Sequence, residues 1–471
     1  MLAAQLAEAR PSRGTPQDVG VVRRRSARAP ALAPRRRATL VCVAGATLLF
    51  SDRSPGRYAF NVLAGALRGV ATQEELRLEF ARAPRSLATA LEQALERGDR
   101  TVVAWSFYSP SFAECADELA DSRRLFPSGW AALAGGVHAT AEPLATLRAG
   151  FDFAAIGEGE NTVRELARVL TDGGELRTVR GLARLEEGAL VRNARGAPVD
   201  ELDTFAPFDP ARRRFGAIEI TRGCIYACKF CQTPFLSKAR FRHRSSSNVA
   251  HWAGEIARAG LRDVRFISPT SLSYGSRDEQ VELAAVEELL ARVRESIGPH
   301  GRLFFGTFPS EVRPEHVTPQ ALAVLRRYVD NDNLVIGGQS GSERVLEATH
   351  RGHDVASIER AVQVCLAAGF KPNVDFLLGL PGEDERDALA TLALVERLTQ
   401  LGARAHAHTF MPLPGTPLRK AAPGRVAGEQ RARLESLEGA GKLFGQWRRH
   451  EQLAGELAAQ RVDSTRTSSA Q

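Results

Sequence analysis

Apolar residues in this chain fall into short unbroken runs, separated by stretches in which they recur every third or fourth position. The first pattern suits strands buried on both faces, and the second suits helices packed over them. In the first part of the chain the pattern predicts strand Thr39–Val43, a helical stretch Leu76–Arg97 and strand Thr101–Ser106. Helix Ser111–Leu125, strands Ala131–Gly135 and Phe153–Ile156, and helix Thr162–Thr171 follow. This order predicts an α/β, doubly wound domain over residues 39–171, with its ligand beyond the carboxyl ends of the strands.

Asp172-Gly173-Gly174 opens a joint over residues 172–210, in which Val179 to Arg192 reads as a small hairpin and Pro198 to Pro210 as a linker. Strand and helix signals then alternate again. Strands are expected at Ala217–Ile220, Val264–Ser268, Leu303–Thr307, Leu334–Gly337, Asn373–Leu378 and Ala405–Phe410. Successive βα units of this kind predict a partial (β/α)6 barrel of the TIM type over residues 211–418, whose chemistry sits on the loops after the strands. Residues 419–471 read as a helical extension, Glu429–Leu457, ending in a polar tail, VDSTRTSSAQ, expected to be disordered.

At 471 residues and 44% hydrophobic content, the chain can bury the cores of two or three domains. Its formal charge of +8 changes the picture less than it first suggests. Residues 1–38 carry nine Arg against Glu8 and Asp18, a net +7, which leaves +1 for all the rest. That Pro- and Ala-rich segment reads as a disordered basic arm, and the near-neutral remainder argues against a nucleic-acid partner. The apolar run ATLVCVAGATLLF is too short to span a bilayer and lacks a small-residue cleavage site, so it reads as a buried strand of a cytoplasmic protein.

Cys224, Cys228 and Cys231 crowd into the stretch TRGCIYACKFCQTP, directly after the first strand of the second block, while Cys42, Cys115 and Cys365 are scattered. A structural zinc site closes with four protein ligands, and His243 is one candidate for the fourth. The C-x3-C-x2-C spacing is not that of paired zinc knuckles, however. A cubane iron–sulfur cluster takes four thiolates. With three, one iron keeps an open position for a ligand.

C-x3-C-x2-C with an aromatic residue, here Phe230, before the last cysteine resembles the cluster loop of the radical S-adenosylmethionine (SAM) superfamily. The resemblance covers residues 211–418. It implies a [4Fe–4S] cluster on Cys224, Cys228 and Cys231, with SAM chelating the fourth iron and being cleaved reductively to a 5′-deoxyadenosyl radical. It further implies a SAM site on the loops that follow. In ISPTSLSYG, Ser268, Pro269 and Thr270 stand where the superfamily usually has a Gly-Gly-Glu-like turn, a departure that leaves hydroxyls and carbonyls to replace the Glu. FGTFPSEVRPE offers Glu311 and Arg313. IGGQSGSERVL offers Gln339, Ser340 and Ser342 to ribose hydroxyls, and DFLLGLPGE offers Gly379 beside adenine. Each Gly/Pro cluster alone is also an ordinary βα turn; their order after the cysteine loop is what carries weight.

In the first block, Ser106 followed by Gly135-Gly136, and the segment GEGEN with Gly157 and Glu158, resemble elements of the Rossmann-like cobalamin-binding domains fused to radical SAM barrels. The resemblance implies cobalamin, its nucleotide tail lying on bare glycine backbone. The D-x-H-x-x-G element is missing, so cobalamin would bind without a histidine on cobalt. His138 is expected to pack or hydrogen-bond near the glycines.

Together these features imply a cobalamin-dependent radical SAM enzyme, acting as a C-methyltransferase on an organic substrate. Its electron donor would be a flavodoxin or ferredoxin. A methylthiotransferase is the alternative, although such enzymes resemble one another in carrying three further N-terminal cysteines, and this chain offers Cys42 and Cys115. A rearranging or coupling radical SAM enzyme, or a sensor without turnover, completes the set.

Overall fold

The computed structural model of the chain describes residues 45–53, 56–72 and 74–468, with side chains up to 459. The basic arm, the expected strand Thr39–Val43 and Cys42 lie outside these residues.

Strands β1 (Ala46–Ser51), β2 (Leu76–Ala81), β3 (Arg100–Ser106), β4 (Trp130–Gly135) and β5 (Phe153–Ala155) run parallel in the order 2-1-3-4-5. Every residue of β1 is buried, as a central strand covered on both faces requires. Leu48 and Phe50 join one apolar core with helix Gly159–Thr171, while Leu49, Val103 and Trp105 join the other with helices Pro84–Glu96 and Phe112–Leu125. The sheet is thus doubly wound, and its strand order reverses between β1 and β3.

Two differences from the expected pattern have plain causes. Leu76–Arg97 is a strand followed by a helix, because Leu76, Leu78 and Phe80 alternate with Arg77 and Glu79 at period two, and Pro84 starts the helix Pro84–Glu96. The hairpin β6 (Leu182–Glu186) and β7 (Ala189–Arg192) extends the N-terminal sheet, with Ala154 of β5 opposite Ala183 in antiparallel register. Glu187 and Gly188, at φ 50° and 80°, make its tight turn.

The second domain holds all six expected strands. After the first, β8 (Ile218–Glu219), a short hairpin of β9 (Thr221–Arg222) and β10 (Arg242–His243) intervenes. The others are β11 (Asp263–Ile267), β12 (Arg302–Phe304), β13 (Asn333–Gln339), β14 (Lys371–Leu378) and β15 (Arg404–Thr409). They form two parallel sheets, β8-β11-β12 and β13-β14-β15, joined by a bridge between Val312 and Ile336. Ser245, Thr318, Ser342, Asp354 and Asp384 cap the covering helices by accepting backbone N–H bonds. A seventh strand, β16 (Leu443–Phe444), pairs in parallel with β15. Helix Trp447–Ser468 follows and takes in most of the tail expected to be disordered. No helix among the described residues is long and apolar enough to cross a membrane.

Buried ion pairs lock the domains together. Arg214 of the barrel domain holds Asp52, at the end of β1, through two hydrogen bonds of 2.7 and 3.1 Å. Arg242 binds Glu158, and Arg222 binds Glu160 at 2.6 Å.

Candidate functional site

The three clustered cysteines line one cavity with Phe230, Ser268, Pro269, Glu311, Gln339 and Arg351. Gly223 starts their loop at φ +81°, where a Cβ would lie 2.1 Å from the Arg240 carbonyl oxygen, so only glycine fits. The loop turns back at Ala227, φ +52°, and Cys231 N–H donates to the Cys228 carbonyl at 3.0 Å. Neighbouring segments brace it. Arg313 stacks 3.6 Å over the Tyr226 ring, and the Tyr226 hydroxyl meets His316 Nε2 at 3.0 Å. Burial pushes the Cys224 thiol up to about 12. An iron ion would displace that proton, since a coordinating thiol is deprotonated outright.

Arg351 points one guanidinium nitrogen at the Cys228 sulfur, 3.5 Å away, and donates through another to the Gly337 carbonyl at 2.7 Å. Burial disfavours its charge, but Cys228 and Glu311 outweigh that and hold it protonated. Burial raises the Glu311 carboxyl to about 7, with Arg351 opposing the shift and Asp375 adding to it. Glu311 Oε2 and both side-chain polar atoms of Gln339 are buried without a hydrogen-bond partner. Gln339 also holds φ +76°, a strained conformation for a non-glycine residue. Orphaned donors and acceptors on a cavity wall are what a zwitterionic ligand would satisfy, so these residues fit the amino-acid end of SAM.

Of the expected SAM residues, Phe230, Ser268, Pro269, Glu311 and Gln339 line this cavity and the others do not; the Thr270 Oγ1 is buried without a hydrogen-bond partner. The Thr270 carbonyl accepts from Ser268 Oγ, and Arg313 donates to the Arg351 carbonyl. Ser340 Oγ faces Thr391 at 3.2 Å, and Ser342 donates to Asp387 at 2.6 Å. A Cβ on Gly379 would lie 2.6 Å from Arg425 N, so that glycine admits a neighbouring chain segment.

A second cavity, of about 300 Å³, opens at the carboxyl ends of the N-terminal strands, where Phe50, Ser106, Gly135 and Ala155 line it. Gly136, Gly157 and Glu158 line it too, with Tyr58 and Tyr108, whose phenols are pushed up by burial. Gly157 sits at φ +87° with no atom within 4 Å of a built Cβ, which leaves bare backbone on the wall, as a nucleotide tail would need. The Glu158 carboxylate faces the barrel: burial would raise its pKa, but Arg242, Arg222 and the Val199 N–H together bring it below the usual range. His138 bonds Ser109 through Nδ1 at 3.0 Å and stacks on Phe112.

A cleft of about 170 Å³ lies between the two cavities, with Tyr108 on the N-terminal wall and Cys231 and Pro269 on the barrel wall. Tyr108, Glu219, Arg222 and Ser237 border both this cleft and the N-terminal cavity. Sequence reasoning missed Tyr108 and Arg351, which acquire their roles through contacts between distant segments.

Residues 218–395 match the family model described as the radical SAM superfamily. Among curated relatives, the tRNA-2-methylthio-N(6)-dimethylallyladenosine synthase of Saccharophagus degradans is 27% identical over 237 residues, 49% of this chain and 50% of that protein. The Neisseria gonorrhoeae enzyme of the same name is 28% identical over 243 residues, 50% of this chain and 53% of that protein. The chain thus spans about half the length of these relatives. Among solved structures, the radical S-adenosylmethionine methyltransferase TsrM from Kitasatospora setae, with cobalamin and a [4Fe–4S] cluster bound, matches with a TM-score of 0.63. Its sequence identity is 19%, over 80% of this chain and 78% of that one. The cobalamin-dependent S-adenosylmethionine radical enzyme OxsB matches with a TM-score of 0.58 and 15% identity, over 75% of this chain and 52% of that one. The chain therefore carries a radical SAM domain, in a two-domain fold shared with cobalamin-dependent radical SAM enzymes.

Proposed function

We propose that this chain is a cobalamin-dependent radical SAM enzyme that methylates carbon in an organic substrate. The observation that carries the reading is the cleft between the two cavities, which has Tyr108 from the N-terminal cavity and Cys231 from the cysteine loop on facing walls. A substrate in that cleft would touch both cofactor sites at once.

When bound, the [4Fe–4S] cluster, SAM and cobalamin would supply a carbon-centred radical and a transferable methyl group. Cys224, Cys228 and Cys231 would hold the cluster by three thiolates, leaving an iron position to SAM. Gln339 and Glu311 would orient the SAM amino acid through their unpartnered polar atoms. Apolar lining residues such as Phe50, Leu133 and Ile267 would exclude water from the N-terminal cavity. Reduction calls for an external one-electron donor, for which a flavodoxin or ferredoxin is suited.

The methylthiotransferase alternative draws on the names of the curated relatives. Weighing against it, Cys115 is the sole thiol among the described residues of the N-terminal sheet domain. It is packed in apolar core with its pKa pushed up to about 12 by burial.

The test is anaerobic reconstitution followed by product counting with candidate substrates. Close to four irons per chain, lost on Ala substitution of Cys224, Cys228 or Cys231 but kept in Cys115→Ser and Cys365→Ser, is the expected cluster result. Equal yields of 5′-deoxyadenosine and S-adenosylhomocysteine per methylated product are expected of the reaction. Substrate conversion with 5′-deoxyadenosine alone would replace methylation by a rearranging or coupling reaction.

A further inference from the structure

Strands β14 and β15 alternate between two faces. Val374, Phe376 and Leu378 and the neighbouring Ala405 and Ala407 join the large apolar core under the helices. The intervening positions therefore face the barrel lumen, and Leu377 among them packs with Tyr226, Cys228 and Phe230 of the cysteine loop. Lumen layers of such barrels are ordinarily bulky and apolar. Here they include Asp375, His406 and His408, which are 0%, 5% and 1% exposed.

One donor atom from each of these three side chains lies within 4.8 Å of the others. His406 Nδ1 stands 2.8 Å from Asp375 Oδ1, a hydrogen-bond distance, which would open to about 3.3 Å between two ligands on one tetrahedral zinc. Surrounding groups fix both rings. Phe444 of β16 stacks on His406 with centroids 4.5 Å apart and planes at 12°. His450, from helix Trp447–Ser468, sets its Nδ1 3.3 Å from His408 Nδ1. Ring orientation by an outer partner is a regular feature of metal-binding histidines.

We propose that Asp375, His406 and His408 form a binding site for a divalent transition-metal ion, separate from the cysteine loop and best matched to zinc. Two imidazoles and one carboxylate suit zinc, whereas magnesium and calcium call for oxygen ligands. Three protein ligands leave a coordination position toward the lumen for water or a substrate oxygen. The site does not depend on the reaction proposed above, and its metal content is measured without turnover.

The probe is Zn²⁺, with Co²⁺ as its spectroscopic substitute, added anaerobically to the full chain carrying Cys224→Ser, Cys228→Ser and Cys231→Ser. Those changes remove the competing thiolates. One Zn²⁺ per chain is expected, and Co²⁺ should give visible ligand-field bands without thiolate charge transfer. Asp375→Asn, His406→Ala and His408→Ala should each weaken binding by at least about 100-fold, while exposed His251→Ala should not. Near-ultraviolet circular dichroism identifies any variant that has lost its fold. Where folding fails, the wild-type chain with its iron–sulfur cluster reconstituted should retain one zinc beyond its cluster iron. Folded protein that takes up no Zn²⁺, or takes it up equally in all three variants, would reduce the cluster to a hydrogen-bonded prop for helix Trp447–Ser468.

Discussion

Arg351 is tied to the Gly337 carbonyl by one nitrogen at 2.7 Å and meets the Cys228 sulfur with another at 3.5 Å. Because the first bond fixes its reach, a positive charge stays beside one of the three cysteines proposed to hold the cluster. Such a charge favours the reduced, more negative cluster. Arg351→Met should lower the midpoint potential by roughly 60 mV, a tenfold step for one electron, and Arg351→Lys by less. Redox titration followed by electron paramagnetic resonance checks this; an unchanged potential in a variant with full iron content would remove Arg351 from that role.

Gly135 gives a clean probe of the N-terminal cavity. Its backbone is extended, φ −138° and ψ −174°, and a Cβ there would meet the Trp105 carbonyl oxygen at 3.6 Å and the Ala155 Cβ at 4.0 Å, both ordinary contacts. Gly135→Val should therefore fold with a stability loss below about 1 kcal/mol while filling the cavity wall. Hydroxocobalamin affinity should drop at least tenfold, about 1.4 kcal/mol. Gly136→Val is the contrast: at φ +90° with the Phe107 carbonyl oxygen 2.8 Å from its Cβ, it should destabilise the fold itself. Undiminished cobalamin binding by Gly135→Val would move the cofactor away from this wall.

The Asp52–Arg214 pair is buried and spans the domain boundary, with Arg57 and Arg82 each 3.8 Å from the same carboxylate. Removing one partner of a buried pair leaves an uncompensated charge, at about 3–5 kcal/mol. Asp52→Asn should lose that much in urea unfolding and separate the melting of the two domains in calorimetry. Arg214→Met in the same chain should recover part of it. A single, unshifted transition in Asp52→Asn would mean the domains are held by other contacts.

His138 links pH to the stability of the N-terminal domain. Burial pushes its pKa down to about 4, against an unfolded value near 6.5. Between these values the unfolded chain binds the proton and the folded one does not. Its contribution is therefore complete above pH 6.5 and is lost as the pH falls toward 4, on the order of 3 kcal/mol in all. His138→Gln should flatten that part of the stability profile. Parallel profiles for the two proteins would show that His138 charges as readily in the fold as outside it.

Much of this architecture is legible from apolar patterning. Barrel strands such as Leu334–Gly337 are legible as short apolar runs followed by Gly- and Pro-rich turns, and the others by their regular spacing along the chain. Strand β2 is not, because charged Arg77 and Glu79 interrupt it at the sheet edge, where such residues are tolerated. Nor did two-residue β16 leave a signal, since its place is set by pairing with β15. The site divides in the same way. Cys224 and Glu311 stand on loops that follow strands and Gln339 ends β13, where position along the chain foretells position in space. Arg351 reaches the cysteines from a turn after helix Glu343–Ala348, and Tyr108 reaches the cleft from another domain. The His-Ala-His alternation in β15 was visible, but its meaning depended on which face the strand turned inward.

Helix Trp447–Ser468 also bears on how the barrel is completed during translation. Trp447 is fully buried, its carbonyl accepts a hydrogen bond from Thr409, and His450 meets His408 in the lumen. These residues leave the ribosome long after the cysteine loop and after β15 itself. In a nascent chain paused between Thr409 and Trp447, the contacts of Thr409 with Trp447 and of His408 with His450 are not yet made, so the lumen end of β15 is completed only when the last helix docks.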